Sequence, residues 1–245
     1  MGDHLLARSV SISVFTGHAE LRVPDRVRTL SARAPGVGRA AGGVAVRIGV
    51  FGRGHVGAAL GHALAGAGHE VRYGVRDPAE DRDPPDDGSA GLLSLPEVGR
   101  WGEVLVLGVP YGAVQEVLKA AGDLDGKIII DPTNAPKPPT DERSSSQIIA
   151  GFVPTARLVR AFNTVPAEVM INPLFENGRA STFVCADDRL ARVTVQSLAR
   201  DIGFDAVDAG PLSSACAIDR LLAVWRVLAF DAGLGRNLAF ELLRR

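Results

Sequence analysis

The sequence predicts an α/β protein with a doubly wound, mostly parallel sheet and a short helical C-terminal part. Three observations predict it. From Val46 onward, short apolar runs bounded by glycine and proline alternate with stretches of helical periodicity. One run, Glu103–Val109, is apolar almost without interruption, as a strand buried on both faces requires. The first run, Val46–Phe51, leads directly into Gly52-Arg53-Gly54-His55-Val56-Gly57, a glycine turn that opens a helix.

Each element has its own signal. After the turn, Val56, Ala59, Leu60, Ala63 and Leu64 recur at helical spacing, and Gly66-Ala67-Gly68 supplies the stop. Glu70–Val75 is the second strand and Asp83–Gly88 a polar loop. A short helix is expected around Ser89–Val98. The third strand, Glu103–Val109, is closed by Pro110-Tyr111-Gly112, and Ala113, Val114, Val117 and Leu118 mark the next helix. Lys127–Asp131 is the fourth strand, followed by a proline-rich loop, Asp131–Pro139, which is neither helix nor central strand. A helix over Glu142–Ala150 and a strand over Leu158–Phe162 come next. The strand Thr182–Ala186, the helix Asp188–Asp201 and the strand Phe204–Asp208 continue the alternation, with Asp187 or Asp188 as N-cap. The apolar spacing of Ala217, Ile218, Leu221, Leu222, Val224, Trp225, Leu228 and Ala229 predicts a helix buried over most of its circumference, as core or dimer interface, or with Trp225 walling a cleft. Gly233 and Gly235 end it, and Asn237–Leu243 reads as a further amphipathic turn.

This pattern divides the chain into an N-terminal extension (1–45), a dinucleotide-binding domain (46–210) and a helical C-terminal part (211–245). The extension is Arg-rich and, over Ser31–Gly43, has little to pack. It is expected to be a disordered tail or a misassigned start. Its composition also fits an organelle presequence, and the period-two run Val10–Phe15 fits a strand added to a neighbouring subunit.

The composition narrows the function classes. A formal net charge of −1 argues against nucleic acid or anionic membrane as the main partner. No stretch approaches the roughly 18 apolar residues that span a bilayer. Cys185 and Cys216 lie far apart without metal-ligand spacing and read as small side chains in a reducing, cytoplasmic setting. A homodimer through the apolar C-terminal helix is compatible with the pattern. Among the five histidines, His4, His18, His55, His62 and His69, only His55 falls at the glycine turn.

The glycine turn suits a dinucleotide's pyrophosphate. Gly52 allows the tight turn, Gly54 leaves the backbone open to phosphate, and Gly57 lets the helix lie close to the strand. Without a ligand, the same residues are simply a glycine-rich loop. The tip of the second strand then selects the cofactor. Val75 stands where NAD enzymes place a carboxylate, and Arg76 follows with a guanidinium suited to the extra phosphate of NADP. Asp77 falls near the spacing of the NAD carboxylate, about 20 residues on, so NAD stays open; Arg76 and Asp77 also fit a solvated surface pair. Such sheets bind ligands beyond the carboxyl ends of their strands. There Val109 and Pro110 offer apolar surface to a ring, and Asn134, Asn163 and Thr164 offer donors and acceptors, although each alone also fits ordinary loop chemistry.

From Val46 to Arg245 the chain resembles the NADPH-dependent deazaflavin-coenzyme (8-hydroxy-5-deazaflavin) oxidoreductases, enzymes with an NADP-binding Rossmann fold. The segments that carry the resemblance are Gly52–Gly57, Val75–Pro78, Val109-Pro110, Asp131–Asn134, Ala161–Pro166, Asp208–Ser213, and Gly233–Gly235 followed by a final helix. The resemblance implies hydride transfer between NADP(H) and a deazaflavin co-substrate lying in a cleft against the nicotinamide. It implies that Arg53, Gly54, His55 and Val56 touch the pyrophosphate and that Val75 and Arg76 hold the adenosine phosphate. It further implies that Val109, Pro110 and Asn134 line the nicotinamide, and that Ala161, Asn163, Thr164 and Leu212 line the second ring. Val75 replaces a serine and Glu80 a basic residue common in that family, with Arg82 as a substitute for the latter; both changes weaken the expected grip on NADP. No dedicated acid, base or metal is expected, since both rings are hydride carriers. An imine, quinone or flavin acceptor, and a non-catalytic NADP sensor, remain as alternatives.

Overall fold

A computed structural model describes residues 44–79, 91–136 and 143–245. The extension before residue 44, with its expected strand Val10–Phe15, lies outside the described residues, as do the loop Asp83–Gly88, Glu80, Arg82 and the end of the proline-rich loop.

Six strands form one all-parallel sheet: β1 (Arg47–Phe51), β2 (Glu70–Val75), β3 (Leu92–Ser94), β4 (Val104–Leu107), β5 (Ile128–Asp131) and β6 (Arg157–Arg160). Their order is β3-β2-β1-β4-β5-β6. The order reverses direction between β1 and β4, and that reversal is where a doubly wound sheet opens its crevice. The helices are α1 (His55–Gly66), α2 (Leu95–Trp101), α3 (Val114–Ala121), α4 (Ser145–Phe152), α5 (Ala167–Ile171), α6 (Arg189–Asp201) and α7 (Ala215–Arg226).

The alternation of side chains along each strand sorts the interior into two cores. Ile48, Val50, Val104, Val106, Ile128, Ile130 and Val159 pack with α1, α5 and α6 on one face. Phe51, Leu105, Leu107, Ile129 and Leu158 pack with α2, α3, α4 and α7 on the other. Strands buried on both sides must be apolar at every position, which is why Val104–Leu107 reads as a continuous run.

Three expectations need correcting. The helix expected around 89–98 is instead the edge strand β3 followed by α2. Ser94 fixes the boundary: its backbone N–H and its hydroxyl both donate to the Glu97 carboxylate, at 2.9 and 2.6 Å. Upstream of that cap, Leu92 and Leu93 are left to pair with Tyr73 and Gly74 of β2.

The strands expected at 182–186 and 204–208 do not extend the main sheet. They form a separate parallel pair, β9 (Ser181–Val184) with β10 (Asp205–Asp208), connected through α6. A hairpin, β7 (Leu174–Phe175) and β8 (Gly178–Arg179), precedes them, and the chain then meets β6 in the antiparallel sense, at the bridge Arg160–Cys185. Asp188 caps α6, its carboxylate accepting from Ala191 N at 2.7 Å, while Asp187 holds Leu212 N at 2.9 Å.

At the C-terminus, α7 buries one side only, through Ala215, Ile218 and Trp225. Val224, Val227 and Phe230 remain about half exposed. A π-helical turn (Val227–Asp231) ends the helix, and no helix follows. The last residues run as an irregular strap. Trp225 Nε1 donates to Leu238 O at 2.9 Å, Ser181 N to Phe240 O at 2.8 Å, and Leu242 N to the Ser181 hydroxyl at 2.9 Å. Trp225 is therefore a tether for the strap, with its indole edge-on to Phe230. Among the described residues no helix is long and apolar enough to cross a membrane.

Trp225→Phe keeps an aromatic side chain but removes the N–H donor together with part of the buried ring system. It should cost at least about 1 kcal/mol and speed amide exchange at Leu242 relative to the sheet, as read by hydrogen–deuterium exchange; unchanged exchange would remove the tether.

Candidate functional site

The glycine turn sits at the reversal of strand order, between β1 and α1. Gly52 has φ +84°, a conformation other residues rarely adopt, and its N–H donates to Gly74 O of β2 at 2.9 Å. A Cβ on Gly57 would stand 2.4 Å from Gly52 O, so the helix lies as close to the turn as backbone permits. Gly108, at the end of β4, completes the contact: its Cβ would be 2.7 Å from Gly57 Cα. Sequence reading passed over Gly108, although a glycine closing a buried strand is a signal of close backbone approach. Gly54 is different. A Cβ there would meet nothing nearer than Gly108 O at 3.9 Å, so its backbone faces open space. Gly54 and His55 are exposed, Arg53 and Val56 half-buried. Gly54 is the N-cap of α1, no side chain caps it among the described residues, and the first turn carries no acid. The first amides of α1, with the positive end of the helix, are left for an anion.

Val75 ends β2 opposite Ser94, and Arg76 extends beyond it with 76% of its side chain exposed. Asp77 turns back on its own loop, its carboxylate accepting from Ala79 N at 2.9 Å. That bond engages the carboxylate that left the cofactor choice open, while the guanidinium stands at a cavity of about 390 Å³.

The residues expected around the two rings come from β4, β5 and β6. Val109 is half-buried with Cγ1 pressed toward Gly52, and Pro110 is exposed ahead of a 3₁₀ turn, Tyr111–Ala113. Asn134 and Asn163 are brought together: Asn134 Nδ2 donates to Asn163 O at 2.9 Å. Ala161, Asn163, Thr164 and Leu212 are all buried, so they present little side-chain surface. Leu212 packs in the same core as Ile149, Cys185 and Ala215. Between Ala161 and Asn163 the backbone of Phe162 takes φ +64°, an uncommon choice for a bulky residue. Its N–H donates to the Thr182 hydroxyl at 3.1 Å and its ring meets Phe204 edge-on.

Beneath these loops lies a buried ionic cluster that sequence reading missed. Arg160, 1% exposed, donates from Nη1 to Asp131 Oδ2 at 2.9 Å and to Thr133 O, and from Nη2 to Asp219 Oδ1 at 2.5 Å and Asn134 Oδ1 at 3.3 Å. Asp131 is held in turn by Thr133 N and Oγ1 at 2.9 and 2.7 Å and by Ser146 Oγ at 2.5 Å. Asn163 Nδ2 reaches Asp219 at 3.4 Å. The signal was present: an arginine inside the apolar run Leu158–Phe162 has no reason to be there unless paired. The Asn134 amide is oriented by Arg160 and Asn163, which leaves one N–H and one lone pair to offer.

Cys185 is unsuited to chemistry, because burial pushes its thiol up to about 12. Asp208 lies below the usual aspartate range, first because Gly210 N donates to it and then because Arg192 stands 2.8 Å away; burial opposes both. No group of three or more metal-ligating side chains occurs among the described residues. A second cavity, of about 720 Å³, lies among α5, the β7–β8 hairpin and the C-terminal strap, and none of the expected site residues lines it.

Two outcomes follow from this geometry. Asp219→Ala leaves Arg160 short of one anion and should destabilise the fold by about 2–4 kcal/mol in denaturant titration, with Asp219→Asn costing less. Asp208 has a depressed folded pKa, so its contribution exists above the unfolded aspartate value and is lost as pH falls through the folded one. The stability gap between the native chain and Asp208→Asn should be present at neutral pH and close on acidification; a widening gap would contradict the assignment.

Comparison with known proteins converges on one group. Residues 47–135 match the family model described as "NADP oxidoreductase coenzyme F420-dependent". A crystal structure of a candidate F420-dependent NADP-reductase from Arthrobacter sp. FB24 superposes with a TM-score of 0.73 at 31% identity, covering 81% of this chain and 100% of the other. Metalloreductase STEAP3 of Rattus norvegicus is 30% identical over 201 residues, 75% of this chain but 38% of its own length. This chain thus spans well under half of that curated relative. A reductive aminase from Aspergillus terreus, solved with NADPH and ethyl levulinate, shares the fold at 19% identity with a TM-score of 0.60, covering 78% of this chain and 63% of the other. By sequence and by fold together, the chain belongs to the NADP-dependent oxidoreductase family.

Proposed function

We propose that the chain transfers a hydride between NADP(H) and a deazaflavin coenzyme. The observation that carries this reading is the bare backbone at Gly54 ahead of the uncapped α1, with Arg76 standing free of the sheet beyond β2, in a member of an NADP-dependent family. The residues present fit the nucleotide. A side chain at position 54 would fill the cradle, and glycine leaves it open. In this reading Gly52 and Gly57 shape the turn, and the backbone of Arg53, Gly54, His55 and Val56 receives the pyrophosphate. Arg76, beside Val75, pairs with the adenosine phosphate through charge and fork geometry. When bound, the nicotinamide and deazaflavin rings supply the hydride donor and acceptor. Val109 and Pro110 give the nicotinamide an apolar rest. Asn134, held by Arg160, offers its remaining N–H and lone pair at a fixed angle. Ala161, Asn163, Thr164 and Leu212 close the second ring's side and keep water out. The exposed apolar stripe of Val224, Val227 and Phe230 suits self-association, and the same reading takes the enzyme as a cytoplasmic homodimer.

The likeness to a metalloreductase favours a second acceptor, a flavin that passes electrons on to metal. The Rossmann turn serves either acceptor equally, because it holds only the nucleotide.

Nicotinamide absorbance, followed with NADPH against oxidised deazaflavin, flavin, an imine and a quinone in turn, tests the reading. A fall only with deazaflavin supports it. A fall only with flavin transfers it to the second acceptor. Binding without turnover in any arm leaves an NADP sensor. Arg76→Ala should raise the Michaelis constant for NADPH tenfold or more, about 1.4 kcal/mol, with NADH unchanged; equal effects would remove the phosphate assignment.

A further inference from the structure

We infer that Glu116 is a specificity-determining residue of the nucleotide site, a counter-charge that weakens the preference for a phosphorylated adenosine. The inference rests on the proposed placement of that phosphate at Arg76. Arg76 comes from the tip of β2 and Glu116 from the first turn of α3. The fold brings them together at the mouth of one cavity, walled by Ser94, Leu95, Pro96 and Val117, with Glu116 Oε2 3.7 Å from Arg76 Nη2.

Both side chains are mostly exposed, at 76% and 80%, so the pair adds little to stability and a ligand can break it at small cost. Glu116 is nonetheless well placed, because a carboxylate in the first turn of a helix is favoured by the dipole. A 2′-phosphate arriving at Arg76 carries up to two negative charges and meets this carboxylate across a single guanidinium. Like charges at that separation repel, and the phosphate must displace Glu116 to gain the fork. A ribose without the phosphate brings hydroxyls, which donate to a carboxylate at no such cost. Glu116 therefore does from α3 what a carboxylate at the tip of β2 does in NAD enzymes, a position held here by Val75. Asp77 has one carboxylate oxygen engaged by its own loop, at Ala79 N. The two charges pull the site in opposite directions, and NADH is admitted to a pocket built around an arginine.

Calorimetric titration of NADPH and NADH into the full chain tests this, with Glu116→Gln, Arg76→Ala and the double variant. Glu116→Gln keeps size and removes charge. It should tighten NADPH by about three- to tenfold while leaving NADH unchanged or weaker. The gain should shrink at high salt and be smaller in the Arg76→Ala background, where the contest for the guanidinium is gone and only direct repulsion remains. Glu116→Lys should carry the selectivity further in the same direction. An unchanged or weakened NADPH affinity in Glu116→Gln, with Arg76→Ala still selective against NADPH, overturns the role of Glu116 and leaves the phosphate assignment standing. Equal weakening of both nucleotides makes Glu116 an adenine contact and also overturns it. If Arg76→Ala affects both nucleotides alike, the phosphate assignment itself fails, and the inference with it.

Discussion

A single buried guanidinium, that of Arg160, organises the β5–β6 half of the sheet's carboxyl edge. Arg160 is almost fully out of water, and a charge there is tolerable only if anions and carbonyls surround it. Asp131 reaches it from the end of β5, Thr133 and Asn134 from the following loop, and Asp219 from α7. The end of β5, the loop after it and α7 are thereby fixed to one planar group, and neither aspartate can move without stranding a charge. The loops that carry Asn134 and Asn163 inherit that rigidity. So does α7, which otherwise grips the sheet through one narrow apolar side.

The other half of that edge is organised by the absence of side chains. Gly52, Gly57 and Gly108 come from a turn, a helix and a strand end, and their backbones meet at distances where any Cβ would collide. This contact draws the start of α1 over the end of β4, so that its amides face the strand-order reversal. The two halves use opposite means, mutual contact of bare backbone and convergence of buried charge. Both produce fixed positions at the carboxyl edge of the sheet, the edge at which doubly wound folds hold their ligands.

Much of this was legible in the chain. The alternation of runs predicted the parallel sheet because buried strands and amphipathic helices have different periods. The glycine turn and Arg76 could be located because their chemistry is local. Errors arose where the decision was not local. Leu92–Ser94 looked like the start of a helix because the capping box at Ser94 sits at a junction, and only pairing with β2 makes the preceding residues a strand. The strands β9 and β10 looked like continuations of the sheet, since nothing in their composition records the direction of approach set by the β7–β8 hairpin. The end of the chain looked helical because its apolar spacing is compatible with a helix. In the fold, its carbonyls and amides are taken by Trp225 and Ser181 instead.

By itself, then, the sequence determined what depends on neighbours along the chain: the alternation of the central strands and helices, the open turn before α1 and the arginine past β2. Tertiary structure alone decided which distant groups share a charge or a contact. Arg160 finds Asp219, Glu116 comes to face Arg76, and Gly108 closes on Gly57. Periodicity and capping are short-range and leave a local trace, whereas ion pairs and backbone contacts between separate elements depend on register and direction, which no local pattern encodes.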